Sequence, residues 1–218
     1  MRKILYLLAG GGSSRFGKDK LNMKAGDETI FSYILKKLIS YELFSVIVVV
    51  ADEEKRQFIK QENIPNLYLA EPGETRFESV KNAFDTVTPG VNDIVLIHDA
   101  ARPNVKKWLV RRVMDITERH GNCFPATVVT DTIRRKNEAG TETIDRDDLF
   151  AIQTPQGFSG EILQDIITYN SEMSNVTDEG VILEAMGKEP HIADGDRLNF
   201  KITVLADYKA FLELSGNI

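Results

Sequence analysis

The residues best suited to chemistry stand at the ends of two apolar segments. Lys3–Leu8 reads as a short buried β-strand that runs into Ala9-Gly10-Gly11-Gly12-Ser13-Ser14-Arg15-Phe16-Gly17-Lys18-Asp19-Lys20. Small residues let a backbone approach a polyphosphate closely, and successive N–H groups form an anion-binding nest. Arg15, Lys18 and Lys20 add fixed positive charge at the same place. The combination points to a nucleoside triphosphate; the plainer alternative is a strand-to-helix connection with a solvated basic rim. The turn is not a P-loop, because Asp19 follows Gly17-Lys18 where Ser or Thr is required. It is not a dinucleotide fingerprint either, since Arg15 follows Gly10 and Gly12 where a third glycine belongs.

The second element is Ile97-His98-Asp99-Ala100-Ala101-Arg102-Pro103. Asp99 is suited to Mg²⁺, which commonly uses one or two protein carboxylates plus phosphate oxygens and water. Its alternative role, capping the helix expected from Val105, fails on distance in sequence. With three histidines in the chain, a histidine metal site has little support, and His98 reads as a hydrogen-bonded structural residue. Arg102, followed by Pro103, reads either as a surface residue or as a rigidly presented anion clamp.

The elements that must position these residues alternate. Strands are expected at Lys3–Leu8, Ser45–Ala51, Asn66–Ala70, Asp93–Ile97 and Cys123–Thr130, and helices at Thr29–Tyr41, Glu53–Gln61, Arg76–Val87 and Val105–His120. Phe77, Val80, Ala83, Phe84 and Val87 recur close to helical spacing. Alternation of this kind implies an α/β fold, a mainly parallel sheet flanked by helices, with ligands beyond the carboxyl ends of the strands. The turns after Leu8 and Ile97 both lie at such ends and so face one pocket. Asp131–Asp148 breaks the rhythm: it is polar, with a hairpin turn expected at Glu138-Ala139-Gly140, and an excursion of that length is usually functional or an interaction arm. Beyond it, helices are expected at Gly160–Tyr169, Asp178–Met186 and Asp207–Leu214, and short strands at His191–Ala193 and Phe200–Val204. No repeat or linker divides residues 1–218, so one domain is expected.

Composition narrows the classes. A charged fraction of 28 % with 42 % hydrophobic residues fits a soluble globular protein. A net charge of −6 argues against a general nucleic-acid binder, which would carry a broad basic face. The cations must therefore be concentrated in a cleft. Cys123 is the single cysteine; it excludes an intramolecular disulfide and reads as buried filler. No stretch is long and apolar enough to span a membrane, and the apolar run at the N-terminus is short for a signal peptide. A cytoplasmic enzyme is the expectation.

The ordered set LAGGGSSRFG (8–17), PGETRFESV (72–80), HDAARP (98–103), DTI (131–133), DR (145–146), QTPQGF (153–158), TDEGVILEAMG (177–187) and NFKIT (199–203) covers nearly the whole chain. In this order it resembles the 2-C-methyl-D-erythritol 4-phosphate cytidylyltransferases of the non-mevalonate isoprenoid pathway. The resemblance implies a Rossmann-like nucleotidyltransferase fold, a homodimer, and a reaction of CTP with methylerythritol 4-phosphate that gives the CDP-alcohol and pyrophosphate. It also implies that Ala9, Gly10, Gly11, Gly12, Ser13, Ser14, Arg15 and Lys20 hold the CTP phosphates. Gly73 and Ser79 would then belong to the cytosine pocket, with Ala100 near the ribose, Asp99 on Mg²⁺ and Lys201 completing the cationic site. By the same resemblance Arg102, Thr132, Arg146 and Thr154 bind the sugar phosphate. Residues 131–148 become a dimerisation arm that carries Thr132 and Arg146 to the partner's pocket. The chain departs from the family pattern at Gly10 and Ser13, at Asp19-Lys20-Leu21 in place of Pro-Lys-Gln, and at Pro72-Gly73 in place of Gly-Gly.

The chemistry suits these residue types. The substrate phosphate is the nucleophile and attacks the α-phosphorus of CTP in line, so neither a Ser, Cys or His nucleophile nor a general base is required. What is required is positioning of two polyanions and stabilisation of developing charge, the role of Arg15, Lys20, Lys201 and Mg²⁺. The nearest rival is a ribitol 5-phosphate cytidylyltransferase; Ala101 and the Asp145-Arg146 pair before Leu149-Phe150 favour methylerythritol phosphate. A nicotinamide-dependent oxidoreductase, with Asp52 as the nearest ribose-binding acid, is the alternative from another class. It leaves HDAARP and NFKIT without a purpose. A non-catalytic binding protein is the third reading.

Overall fold

The computed structural model describes residues 1–10, 19–138, 140–169 and 178–216. Its centre is a sheet in which β1 (Lys3–Leu8) lies between β4 (Val46–Val50) and β6 (Ile94–Asp99), parallel to both. A small antiparallel pair, β2 (Lys24–Ala25) and β3 (Glu28–Thr29), stands between β1 and the first helix, and β5 (Leu67–Ala70) extends the sheet parallel to β4. On the other side β7 (Asn122–Val128) completes the layer.

The apolar runs of β1 and β6 make both faces of the sheet apolar, which explains why helices must cover both. Leu5, Leu7, Ile94 and Leu96 point to one apolar cluster, while Ile4, Tyr6, Val95 and Ile97 point to the other. The first cluster is sealed by α1 (Ile30–Ser40), α2 (Glu53–Glu62), α4 (Lys107–His120) and α7 (Leu205–Ser215). The second is sealed by α3 (Arg76–Thr86), α5 (Gly160–Thr168) and α6 (Glu179–Ala185).

The expected strands and helices recur within one or two residues at each end, with these differences. Phe200–Val204 forms no strand: its run follows the irregular turn after β6, where Ile202 N donates to Ala101 O at 2.8 Å and no ladder can develop. Besides the two-residue β2 and β3, two further strands were not expected, β10 (Phe150–Ile152) and β11 (Gln156–Ser159). Both pair antiparallel with β7, and β11 also pairs antiparallel with β6. Between them Gln153-Thr154-Pro155 leaves the ladder, with a cis peptide before Pro155. A mixed rather than purely parallel sheet results.

The polar excursion is a hairpin of β8 (Ile133–Asn137) and β9 (Gly140–Ile144), pairing Ile133 with Ile144 and Asn137 with Gly140. Gly140 has φ of 135°, a conformation that suits glycine. The hairpin is exposed along most of its length and makes its ladder with itself. β12 (Ile192–Asp194) borders β7 in parallel, in the place expected for a short strand there.

Candidate active site

The register of the sheet brings the two leading motifs together. Leu8 is the partner of Asp99, so the turns after β1 and β6 leave the sheet side by side. Ala9 N donates to Val50 O at 2.8 Å and Ala100 N to Leu8 O at 3.0 Å, which fixes both exits. Beyond them opens a cleft of about 260 Å³. Ala9, Gly10, Lys20, Gly73, Ser79, Asp99 and Lys201 all line it, as do Arg76 and Ala101. Ala100 is fully buried beneath this surface and is not in the lining. Gly11, Gly12, Ser13, Ser14 and Arg15 lie outside the described residues.

Each wall has a local cause. Thr75 and Glu78 form a reciprocal capping box that starts α3, and Ser79 Oγ accepts from Gly73 N at 3.0 Å. On the opposite wall Asp19 accepts from Leu21 N at 3.0 Å and so starts the 3-10 turn at Lys20–Asn22. Lys55, 3 % exposed, ties Asp19 to Asp52 by hydrogen-bonded ion pairs. Burial lowers its ammonium, but the two carboxylates outweigh burial and raise it, so it stays charged. Asp52 is thereby accounted for as the cap of α2 and a partner of Lys55, not as a ribose-binding acid.

Asp99 is the electrostatic centre. Lys201 Nζ lies 2.7 Å from its Oδ2, and Arg76 Nε lies 3.5 Å from its Oδ1. Burial alone raises this carboxyl, but Arg76, then Lys201 and Arg102, outweigh it and hold it well below the usual carboxylate range. Arg76 in turn hydrogen-bonds Glu179, which is 0 % exposed, through NH1. Burial works against the Arg76 cation, and Glu179 and Asp99 restore it with a margin.

Behind Asp99 runs a chain of neutral hydrogen bonds. Asp99 N donates to Thr154 Oγ1 at 3.0 Å, and that hydroxyl meets His98 Nδ1 at 3.1 Å. His98 Nε2 lies 3.3 Å from Arg102 O. The accepting hydroxyl directs its own proton to Nδ1, which leaves Nε2–H to donate to the carbonyl. The imidazole is fully buried, and burial lowers it to about 4, so it is neutral and structural, as the sequence suggests. Thr154, expected to touch substrate, is buried and is engaged with Asp99 and His98.

A second cleft of about 380 Å³ adjoins the first and shares Lys201 with it. Arg102 lines it together with Gln153, Arg197 and Phe200. Arg102 NH1 donates to Asn199 O at 2.9 Å, which holds the guanidinium beside the 199–203 run. Thr132 and Arg146 line neither cleft: Thr132 is exposed at the base of the hairpin, and Arg146 donates to Thr130 O. Arg76 and Glu179 have no assigned role in the sequence reading. Their signal was an arginine directly after a helix-capping threonine and a glutamate inside the apolar pattern of α6.

The protein offers a metal only a sparse donor set. Among the described residues no three His, Cys, Asp or Glu side chains gather as a metal centre. Asp99 supplies one ionised carboxylate flanked by two cations. Such a set fits a hard cation that takes its remaining ligands from bound phosphates and water.

Comparison with known proteins places these features in a family. The family model for 2-C-methyl-D-erythritol 4-phosphate cytidylyltransferase (IspD) matches residues 4–212. The protein of that name from Bacteroides thetaiotaomicron is 34 % identical over 219 residues, spanning 96 % of this chain and 97 % of the relative. That from Clostridium beijerinckii is 33 % identical, with 93 % and 95 % spanned. The crystal structure of the Francisella tularensis cytidylyltransferase superposes with a TM-score of 0.83 at 27 % identity over 99 % of both chains. The bifunctional IspDF from Campylobacter jejuni superposes with a TM-score of 0.79 at 28 % identity, over 95 % of this chain and 53 % of that one. With its motifs in order and its two leading turns joined by the β1–β6 register, the chain belongs to the 2-C-methyl-D-erythritol 4-phosphate cytidylyltransferase family.

Proposed function

We propose that this protein transfers the cytidylyl group of CTP to 2-C-methyl-D-erythritol 4-phosphate. A non-bridging oxygen of the sugar phosphate attacks the α-phosphorus of CTP, the bond from that phosphorus to the β-phosphate bridging oxygen breaks, and pyrophosphate leaves with the electron pair. The products are 4-diphosphocytidyl-2-C-methyl-D-erythritol and pyrophosphate. The observation that carries this reading is Lys201, which bonds Asp99 and lines both clefts. A cation at that junction stands where a donor phosphate and an acceptor phosphate would meet.

In this reading the first cleft takes CTP, with Ala9, Gly10 and Lys20 toward the phosphates and Gly73 and Ser79 toward the base. By the family resemblance Arg15 and Gly11–Ser14 would bind the phosphates as well. The second cleft takes the acceptor, with Arg102 as anion clamp and Thr154 acting through Asp99. Lys20 and Lys201 hold the reacting phosphates against their mutual repulsion and stabilise the charge that develops on the α-phosphate. Asp99, kept ionised, orients Lys201 and is the residue that would hold Mg²⁺; the ion would neutralise phosphate charge.

The exposed β8–β9 hairpin supports a homodimer in which arms are exchanged, so that Thr132 and Arg146 serve the partner's acceptor pocket. The reaction calls for cytosolic substrates, and we place the enzyme in the cytoplasm; among the described residues no helix is long and apolar enough to cross a membrane. The test is pyrophosphate release by purified protein with CTP and Mg²⁺, comparing methylerythritol 4-phosphate with ribitol 5-phosphate. Release with the first alone is expected. Release with ribitol phosphate alone would keep the reaction class and overturn the acceptor, and silence with both would overturn the function.

A further inference from the structure

The loop before α3 and the turn after β1 meet at one contact. A methyl group built on Gly10 would lie 2.3 Å from Pro72 Cβ and 3.0 Å from Pro72 Cγ, with Pro72 Cα at 3.4 Å. Unstrained carbon contacts lie at about 3.5–4.0 Å, so the Pro72 ring occupies the volume that a side chain at position 10 needs. The next residue is wedged as closely. A methyl group on Gly73 would lie 2.2 Å from Glu78 Cβ and 2.9 Å from Ser79 N. Residues 72–73 are therefore clamped between the end of β1 and the first turn of α3, which the Thr75–Glu78 capping box holds in place. Gly10 and Gly73 both line the first cleft, and Pro72, outside its lining, is the residue that Gly10 abuts.

The geometry points to Gly10 and Pro72 as a coupled positioning pair that sets the separation of the two loops forming the nucleotide cleft. This deepens the proposed function and rests on its assignment of that cleft to CTP. The missing side chain at position 10 and the ring at position 72 are two halves of one contact. Pro72 also fixes its own φ, so the loop meets β1 in one conformation. Gly73 N is then delivered to Ser79 Oγ, and the base end of the cleft keeps its width. The conflict with a position-10 side chain begins at Pro72 Cβ. Alanine at 72 retains that atom and leaves the conflict; glycine at 72 removes it.

The test uses the full chain as Gly10→Ala, Pro72→Gly, Gly10→Ala/Pro72→Ala and Gly10→Ala/Pro72→Gly. KM for CTP and kcat are measured with methylerythritol 4-phosphate, and Tm without ligand. Gly10→Ala is expected to raise KM for CTP by about tenfold or more, the scale of an ångström-sized misplacement, with a smaller change in kcat and a lower Tm. Adding Pro72→Ala leaves both defects. Adding Pro72→Gly returns KM to within about twofold of the Pro72→Gly single variant, the scatter of independent sites. Equal rescue by alanine and glycine, or a fall in Tm with KM unchanged, would overturn the pair. If instead the CTP assignment fails, the unsubstituted protein gives no CTP turnover, while the Tm pattern still reports the steric coupling.

Discussion

Lys201 Nζ and Asp99 Oδ2 lie 2.7 Å apart at the junction of two clefts, although the residues are 102 positions apart in sequence. Their pairing holds the lysine at this junction, where the proposed mechanism brings donor and acceptor together. Lys201→Ala is expected to lower kcat by about two to three orders of magnitude, the loss typical of one preorganised transition-state donor. Lys20→Ala is expected to do the same from the opposite wall. Steady-state kinetics with saturating CTP and methylerythritol 4-phosphate checks both, and near-normal turnover in either variant removes that residue from the mechanism.

Arg76 joins the cleft to the core through Glu179. Arg76→Met leaves a fully buried carboxylate without its cation, and a broken buried pair typically costs about 3–5 kcal/mol. Urea denaturation should show a loss of that order, largely recovered in Arg76→Met/Glu179→Met. Activity should not recover in the double variant, because Asp99 still lacks its Oδ1 neighbour. Additive destabilisation by the two substitutions would contradict the pairing.

Burial lowers His98 to about 4 in the folded protein, against an ordinary value of 6.5. Between those values the unfolded chain binds a proton that the native state refuses, so stability falls as pH drops from 6.5 towards 4. One proton per molecule over that window amounts to about 3 kcal/mol. His98→Gln removes this contribution, and its stability should decline less over the same range. Parallel urea titrations at pH 7 and pH 4.5 give the comparison; an identical pH slope in both proteins would place the imidazole in contact with solvent.

Arm exchange makes a prediction that simple loss of function does not. Arg146→Ala damages the pocket its arm serves, and Lys201→Ala damages its own. In a mixed dimer with exchanged arms, the Arg146→Ala protomer keeps an intact pocket and receives an intact arm from its partner. Co-refolded equal mixtures should therefore recover about one quarter of native activity, from random pairing of a symmetric dimer. A mixture no more active than its parents would place the arm on its own subunit.

Much of this fold was legible in the sequence because it rests on local signals. The continuous apolar runs of β1 and β6 and the helical spacing of Phe77, Val80, Ala83, Phe84 and Val87 mark elements that tertiary packing then uses unchanged. β11 was hidden because Gln156 and Gly157 carry no strand signal of their own, and β10 because a run of three residues is too short to show a period. Gly157 is there because α4 packs on it: a Cβ would lie 2.0 Å from Thr117 Oγ1. Phe200–Val204 misled in the opposite sense, being β-prone residues beside a turn that offers no ladder.

The site divides in the same way. Asp99, Lys20, Gly73, Ser79 and Lys201 were named from motifs and do line one cleft. The Arg76–Glu179 link spans 103 positions and no spacing rule reaches across it. Gly10 and Pro72 stood out separately as departures from the family pattern, and only their contact joins them.

The most direct test follows the oxygen atoms. Methylerythritol 4-phosphate labelled with ¹⁸O in its non-bridging phosphate oxygens is incubated with CTP, Mg²⁺ and the protein, and the products are read by ³¹P NMR. Attack by the substrate phosphate puts ¹⁸O in the bridge between the two phosphorus atoms of the CDP-alcohol, with isotope shifts on both resonances, and leaves pyrophosphate unlabelled. An unlabelled bridge, label in pyrophosphate, or CMP as the nucleotide product would contradict the mechanism.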